Sequence, residues 1–114
     1  MSKITTHILD TSRGRPASGV AVALEIQSGE RNWELLGRGE TDADGRVRHL
    51  LPQGHALIPG RYRLRFDTGS YFATHSSEGF YPEVFITFIV RDATEHYHVP
   101  LLLNPYGYST YRGS

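Results

Sequence analysis

Cysteine is absent from this chain. No disulfide can brace it, no thiolate can attack a substrate, and no thiolate can hold a metal. An excess of charge is absent too, because 12 Lys and Arg balance 12 Asp and Glu. No bulk field draws the protein toward nucleic acid or an anionic membrane. Long apolar runs are missing. The opening residues Met1-Ser2-Lys3-Ile4-Thr5-Thr6 carry no hydrophobic signal core, and no stretch is long enough to span a bilayer as a helix. These absences lead us to expect a cytoplasmic protein with neither nucleic acid nor membrane as partner. With Met1 in first place, no leader is expected ahead of it. There is no repeat, linker or low-complexity tract, and no Gly-x-Ser-x-Gly elbow before a helix.

What is present fits one domain over residues 1–114. A chain of this size buries roughly two-thirds of its unfolded surface, enough for a core without staples. Short β-rich apolar runs recur, each bounded by Gly, Pro, Asp or Asn. They predict strands at 5–9, 20–27, 33–40, 46–50, 60–66, 83–90, 96–103 and 106–112. Asp44-Gly45 is a two-residue hairpin signal, because both residues tolerate positive φ. Asn104-Pro105 marks a turn between the last two strands. Only 69–75 reads as a helical turn. Many strands and one short helix predict an antiparallel β-sandwich. Pro100 sits inside a predicted strand, where it cannot donate to a ladder. Its nitrogen must face a gap in the pairing or a bulge.

Alternation along the strands sorts the polar residues. Ile4, Thr6 and Ile8 share one face, and Thr5, His7 and Leu9 the other. Tyr97, Val99, Leu101 and Leu103 oppose His96, His98, Pro100 and Leu102. The more apolar faces should look inward, so His7 and His98 project from an outer sheet face. Taken singly, each is an ordinary surface histidine. Arg46, just after a turn, is an ordinary exposed arginine. Tyr111-Arg112-Gly113-Ser114 is an ordinary polar end. Their chemistry allows more. An imidazole titrates near pH 6.5 and can take a proton from water. A guanidinium offers a planar fork of donors to an oxygen-rich ring or a developing oxyanion. The terminal Ser114 carries a hydroxyl and an ionised carboxylate. Gly113 permits a tight turn. Arg112 suits either a catalytic role or an ion pair that holds the tail down. His49, His55 and His75 read as surface residues. His96-x-His98, with or without His7, lacks a carboxylate or thiolate at ligand spacing, so no metal or other cofactor is expected. Asp42-x-Asp44-Gly45 lacks the further acidic positions of a calcium loop.

The chain also resembles a known family. Thr6-His7-Ile8-Leu9-Asp10, Gly14-Arg15-Pro16-Ala17, Thr41-Asp42-Ala43-Asp44-Gly45-Arg46, Asp67-Thr68-Gly69-Ser70-Tyr71-Phe72, Phe80-Tyr81-Pro82-Glu83-Val84, Tyr97-His98-Val99-Pro100-Leu101 and the closing tetrapeptide carry the resemblance. Together they are similar to the 5-hydroxyisourate hydrolases, a transthyretin-related family, nearly end to end. The tetrapeptide separates those hydrolases from the transthyretin hormone carriers. The resemblance implies a transthyretin-like sandwich of two four-stranded sheets, with a short helix after the fifth strand. It implies a homotetramer built as a dimer of dimers. It also implies hydrolysis of 5-hydroxyisourate, a small-molecule intermediate of urate degradation, to 2-oxo-4-hydroxy-4-carboxy-5-ureidoimidazoline. His7, Arg46, His98 and Ser114 are then the expected catalytic residues. His7, Arg46, Tyr111, Arg112 and Gly113 are the expected substrate contacts, and water is the nucleophile. The alternative implied by the same fold is a carrier that holds a small aromatic ligand in an inter-subunit channel.

Overall fold

The computed structural model describes residues 3–114, so the first two residues of the expected domain lie outside the described residues. The chain forms two sheets and one helix. The first sheet holds β1 (Ile4–Asp10), β2 (Arg15–Pro16), β5 (Arg46–Val47), β8 (Tyr97–Asn104) and β9 (Gly107–Thr110). The second holds β3 (Ala21–Gln27), β4 (Trp33–Glu40), β6 (Gly60–Phe66) and β7 (Val84–Val90), in the order β4-β3-β6-β7. α1 (Thr68–Thr74) follows β6, and the Asp67 side chain caps it by accepting from the Ser70 N–H at 3.2 Å.

The apolar faces predicted by alternation meet between the sheets. Ile4 and Ile8 of β1 and Leu101 and Leu103 of β8 are buried against Leu24, Tyr62, Leu64 and Phe66 of the other sheet. Each such side chain contributes about 1.5–3 kcal/mol by leaving water. One buried polar network ties the helix to this core. The Tyr71 hydroxyl donates to Asp10 at 2.7 Å, and the same carboxylate accepts from the Ser12 hydroxyl at 2.6 Å. Burial pushes the Asp10 carboxyl up, but the Ser12 and Tyr71 hydroxyls and two backbone N–H groups outweigh it and hold its pKa below the ordinary value.

The first sheet differs from expectation in three ways. It has five strands rather than four. β8 runs along one whole edge of β1, from Ile4↔Tyr97 to Asp10↔Leu103, so the other edge is shared by two fragments. β5 takes its first half (Thr6↔Val47, His7↔Arg46) and β2 its end (Leu9↔Pro16, Asp10↔Arg15). Five segments therefore fill four positions. Second, β1 and β8 pair in parallel. The chain travels through the entire second sheet between them, and a crossover of that length permits a parallel ladder. Third, β5 stops at Val47, short of the expected residue 50, and Asp44-Gly45 joins no hairpin, because β4 and β5 belong to different sheets. The turn forms nonetheless, as the chain crosses over. Asp42 Oδ1 accepts from the N–H groups of Asp44 and Arg46 at 2.9 and 3.0 Å, which is the structural use of the acidic pair. Gly45 has φ +76, and a Cβ there would lie 2.4 Å from the Ile8 carbonyl oxygen. That close approach lets Ile8 N–H reach the Gly45 carbonyl at 2.7 Å and locks the turn onto β1.

The last hairpin forms as expected, with Asn104 opposite Gly107. β9 ends at Thr110, two residues before the predicted limit. Pro100 is the reason. Alternate residues turn their backbone groups to the same strand edge. His98 accepts from Gly113 N–H at 2.8 Å on the β9 side, so Pro100 faces that side without an N–H to give. The ladder lapses between Leu101↔Thr110 and the isolated bridge His98↔Gly113. Thr110 spans the lapse by donating its hydroxyl to the Pro100 carbonyl at 2.6 Å.

Candidate active site

Register alone builds the site. In β1 and β5, His7 stands directly opposite Arg46, and paired residues project from the same face. In β1 and β8, Thr5 stands opposite His98, two residues from His7 on the same outer face. The Gly45 turn fixes the position of Arg46, and the tail returns beside His98. His7, Arg46 and His98 thus gather on one exposed sheet face; the strand phases predicted the outward direction of the two histidines, and the register supplies the rest.

A cleft of about 200 Å³ opens there, lined by Thr5, Thr6, Arg46, Arg48, His96, His98 and Ser114. His7 stands outside this lining, beside Arg46. Two larger depressions, of about 780 and 610 Å³, lie in the 49–57 loop and over the outer face of β3 and β4. Neither contains His7, Arg46 or His98.

Burial and charge both act on the two imidazoles. Burial lowers the pKa of His98 from its ordinary value of 6.5, and the charges of Arg46, His96 and His7 lower it further. His7 is lowered by burial and then by Arg46, against an Asp44 backbone hydrogen bond and the Asp44 and Asp42 carboxylates, which raise it. Both shifts favour the neutral ring, the form that can accept a proton. The Thr5 hydroxyl lies 2.8 Å from His98 Nδ1 and 3.0 Å from His96 Nε2.

The closing tetrapeptide divides by position. Ser114 borders the cleft. Gly113 lies so close to His98 that a Cβ would fall 2.5 Å from its Cδ2 and 3.4 Å from Pro100 Cγ. Only glycine lets the tail lie flat against the imidazole. Arg112 turns away and acts as an anchor. Its guanidinium sits 4.5 Å from the Tyr97 ring centroid, 3.4 Å from a Glu95 carboxylate oxygen and 3.3 Å from the His96 carbonyl. Tyr111 is exposed and borders another cleft with Phe88, Tyr97 and Val99, so one chain does not bring it to the histidines. His49, His55 and His75 are all exposed. Among the described residues, no three His, Asp or Glu side chains cluster as metal ligands.

Sequence reasoning missed Thr5 and Arg48, and weighed His96 only as a metal ligand. His96 and Arg48 carried a signal, each two residues from a candidate and so on its face. Thr5 becomes a partner of His98 only through the parallel register of β1 and β8, which no local pattern encodes.

Comparison with known proteins agrees with the motifs. The family model described as HIUase/Transthyretin family matches residues 4–113, and the chain belongs to that family. It is 50% identical over 111 residues to the 5-hydroxyisourate hydrolase of Salmonella dublin, covering 97% of this chain and 80% of that protein. The structure of Klebsiella pneumoniae 5-hydroxyisourate hydrolase is 39% identical, with a TM-score of 0.83 over 97% of this chain and 92% of that one. Sea bream transthyretin in complex with thyroxine is 29% identical, with a TM-score of 0.90 over 98% and 95%. Backbone shape alone therefore does not separate hydrolase from carrier, and the side chains must do so.

Proposed function

We propose that this chain hydrolyses 5-hydroxyisourate to 2-oxo-4-hydroxy-4-carboxy-5-ureidoimidazoline. One observation carries the reading: His7 and His98 share a single sheet face with the Arg46 guanidinium, and burial and that charge lower both imidazole pKa values. Such a set suits attack of water on a ring acyl carbon. His98 takes a proton from water as its oxygen bonds to the carbon. Arg46 stabilises the oxyanion, a role worth roughly 10²–10³ in rate per donor. The acyl carbon–nitrogen bond then breaks, and the leaving nitrogen receives a proton from the histidine pair. His7 and Arg46 contact the ring, while Gly113 and Ser114 close the cleft over it. Arg112 holds that tail in place. The working unit is a homotetramer, a dimer of dimers, in which Tyr111 of another subunit reaches the cleft. The protein works in the cytoplasm without a cofactor.

A second reading has its own support in the likeness to thyroxine-bound sea bream transthyretin. A carrier of an aromatic ligand would place small apolar groups where this chain has His98, His96, Arg46 and Arg48. Generating 5-hydroxyisourate with urate oxidase and following its ultraviolet band decides between the two. Hydrolysis predicts faster decay with the protein present and excess chelator added. Unchanged decay would favour the carrier.

A further inference from the structure

The Thr5 hydroxyl occupies a position that the reaction above does not use. It is buried in β1, and it touches two imidazole nitrogens, His98 Nδ1 at 2.8 Å and His96 Nε2 at 3.0 Å. His98 lines the cleft with Nδ1 committed to Thr5, and its Nε2 meets no protein partner among the described residues. His96 is exposed to water. One hydroxyl thus bridges two imidazoles that border the cleft, of which His96 is the more exposed.

We propose that Thr5 and His96 form a proton relay behind His98, with Thr5 setting the His98 tautomer and His96 storing the proton; this rests on the hydrolase reading. A hydroxyl has one proton and two lone pairs. If His98 donates Nδ1–H to Thr5 Oγ1, and Thr5 donates its own proton to His96 Nε2, both bonds are satisfied. That arrangement leaves His98 Nε2 bare, which is the form that can take a proton from water.

The same chain of bonds converts the base into an acid. As water attacks, its proton goes to His98 Nε2. The Nδ1 proton moves to Thr5 Oγ1, and the Thr5 proton moves to His96 Nε2. His98 is now neutral with a proton on Nε2. Positive charge then rests on exposed His96, where water shares it, and no longer on His98. When the carbon–nitrogen bond breaks, His98 gives its Nε2 proton to the leaving nitrogen. In the same step the relay runs backward from His96 through Thr5 to His98 Nδ1, so His98 stays neutral. Each proton is accounted for, and His98 never holds two protons next to a guanidinium that opposes its charging.

Thr5 and His96 are positioning and relay groups, since neither needs to touch the substrate. Thr5→Val keeps the β-branched shape and removes the hydroxyl, and Thr5→Ser keeps the hydroxyl. His96→Asn leaves an acceptor on the side chain but cannot carry the proton. The test combines kinetics with long-range proton–nitrogen-15 spectra of the imidazoles. The wild-type spectrum should show His98 protonated at Nδ1, Thr5→Val should lose that fixed tautomer, and Thr5→Ser should keep it. In the 5-hydroxyisourate assay, Thr5→Val and His96→Asn should each lower kcat about 10- to 100-fold, less than the roughly 10²–10⁴ attached to acid–base catalysis as a whole. Thr5→Ser should recover most of the rate, and KM should move little. A wild-type His98 protonated at Nε2, or a Thr5→Val variant with unchanged spectrum and kcat, overturns the relay. An inactive wild type removes the hydrolase reading instead, and the spectra still decide whether Thr5 fixes the tautomer.

Discussion

At the scale of single residues, the sheet face disfavours charge on His7 and His98. Burial comes first in lowering His98 and His7, and Arg46 comes next for both. A lowered histidine binds protons more weakly folded than unfolded. Its contribution to stability is therefore intact above the ordinary pKa of 6.5 and declines as pH falls below it, because the unfolded chain then binds more protons. Activity should follow the same direction. The acid limb of kcat/KM should lie below pH 6.5 and belong to the coupled pair. Arg46→Ala should move that limb upward while lowering the rate, yet not restore it fully, since burial remains. A limb that stays in place would remove Arg46 from the electrostatics of the pair. Arg46→Lys should shift the limb less, because the charge persists, but should still be slow, because the planar fork is gone. His98→Asn and His7→Asn should each cost about 10²–10⁴ in kcat/KM with the fold retained. Full activity in both variants would end the acid–base assignment.

At the scale of elements, two features place the chemistry: the turn that carries Arg46 and the tail that returns to His98. Gly113 is where the second can be tested. A methyl group there would stand 2.5 Å from His98 Cδ2, so either the imidazole or the tail must move. Gly113→Ala should therefore reduce kcat, while thermal stability changes little because the tail is largely exposed. Residues added after Ser114 should act likewise, moving the carboxylate away from the cleft, whereas an N-terminal extension should not. Equal rates for both extensions would mean that the tail is only a strand end. Much at this scale was legible in the sequence. The faces of β1 and β8 followed from alternation, and the phases put His7 and His98 outward. Asn104-Pro105 gave its turn. What escaped was non-local. The splitting of one sheet position between β2 and β5 depends on where two separated fragments dock. The early end of β9 depends on which way the Pro100 nitrogen points. The partnership of Thr5 with His98 depends on a register set some ninety residues along the chain.

At the scale of the whole molecule, a lone subunit leaves its cleft open. Arg46, His98 and Ser114 are among the residues that line it, and Tyr111 borders a different cleft of the same chain. The outer strands suggest what covers it. β7 and β9 each end their sheet, and both border a common cleft through Ile86, Phe88, Thr110 and Tyr111. Free strand edges are templates for pairing. These edges also expose Phe85, Ile89, Tyr106 and Tyr108, with Phe80 and Tyr81 nearby through the Tyr81–Tyr108 ring contact at 5.4 Å. Apolar groups gathered in this way mark contact surface. Two-fold pairing along the edges followed by face-to-face packing would give the proposed dimer of dimers and would set equivalent clefts in related pairs. Closing the outer face would exclude bulk water and strengthen the action of Arg46 on a developing oxyanion. The protein should therefore scatter light as a tetramer, and its specific activity should fall as dilution drives dissociation. Charged replacements at the edge, such as Phe85→Glu with Tyr108→Glu, should produce smaller, folded and nearly inactive species. A monomer with the full rate would place every catalytic contact within one chain and leave Tyr111 without a part in the reaction.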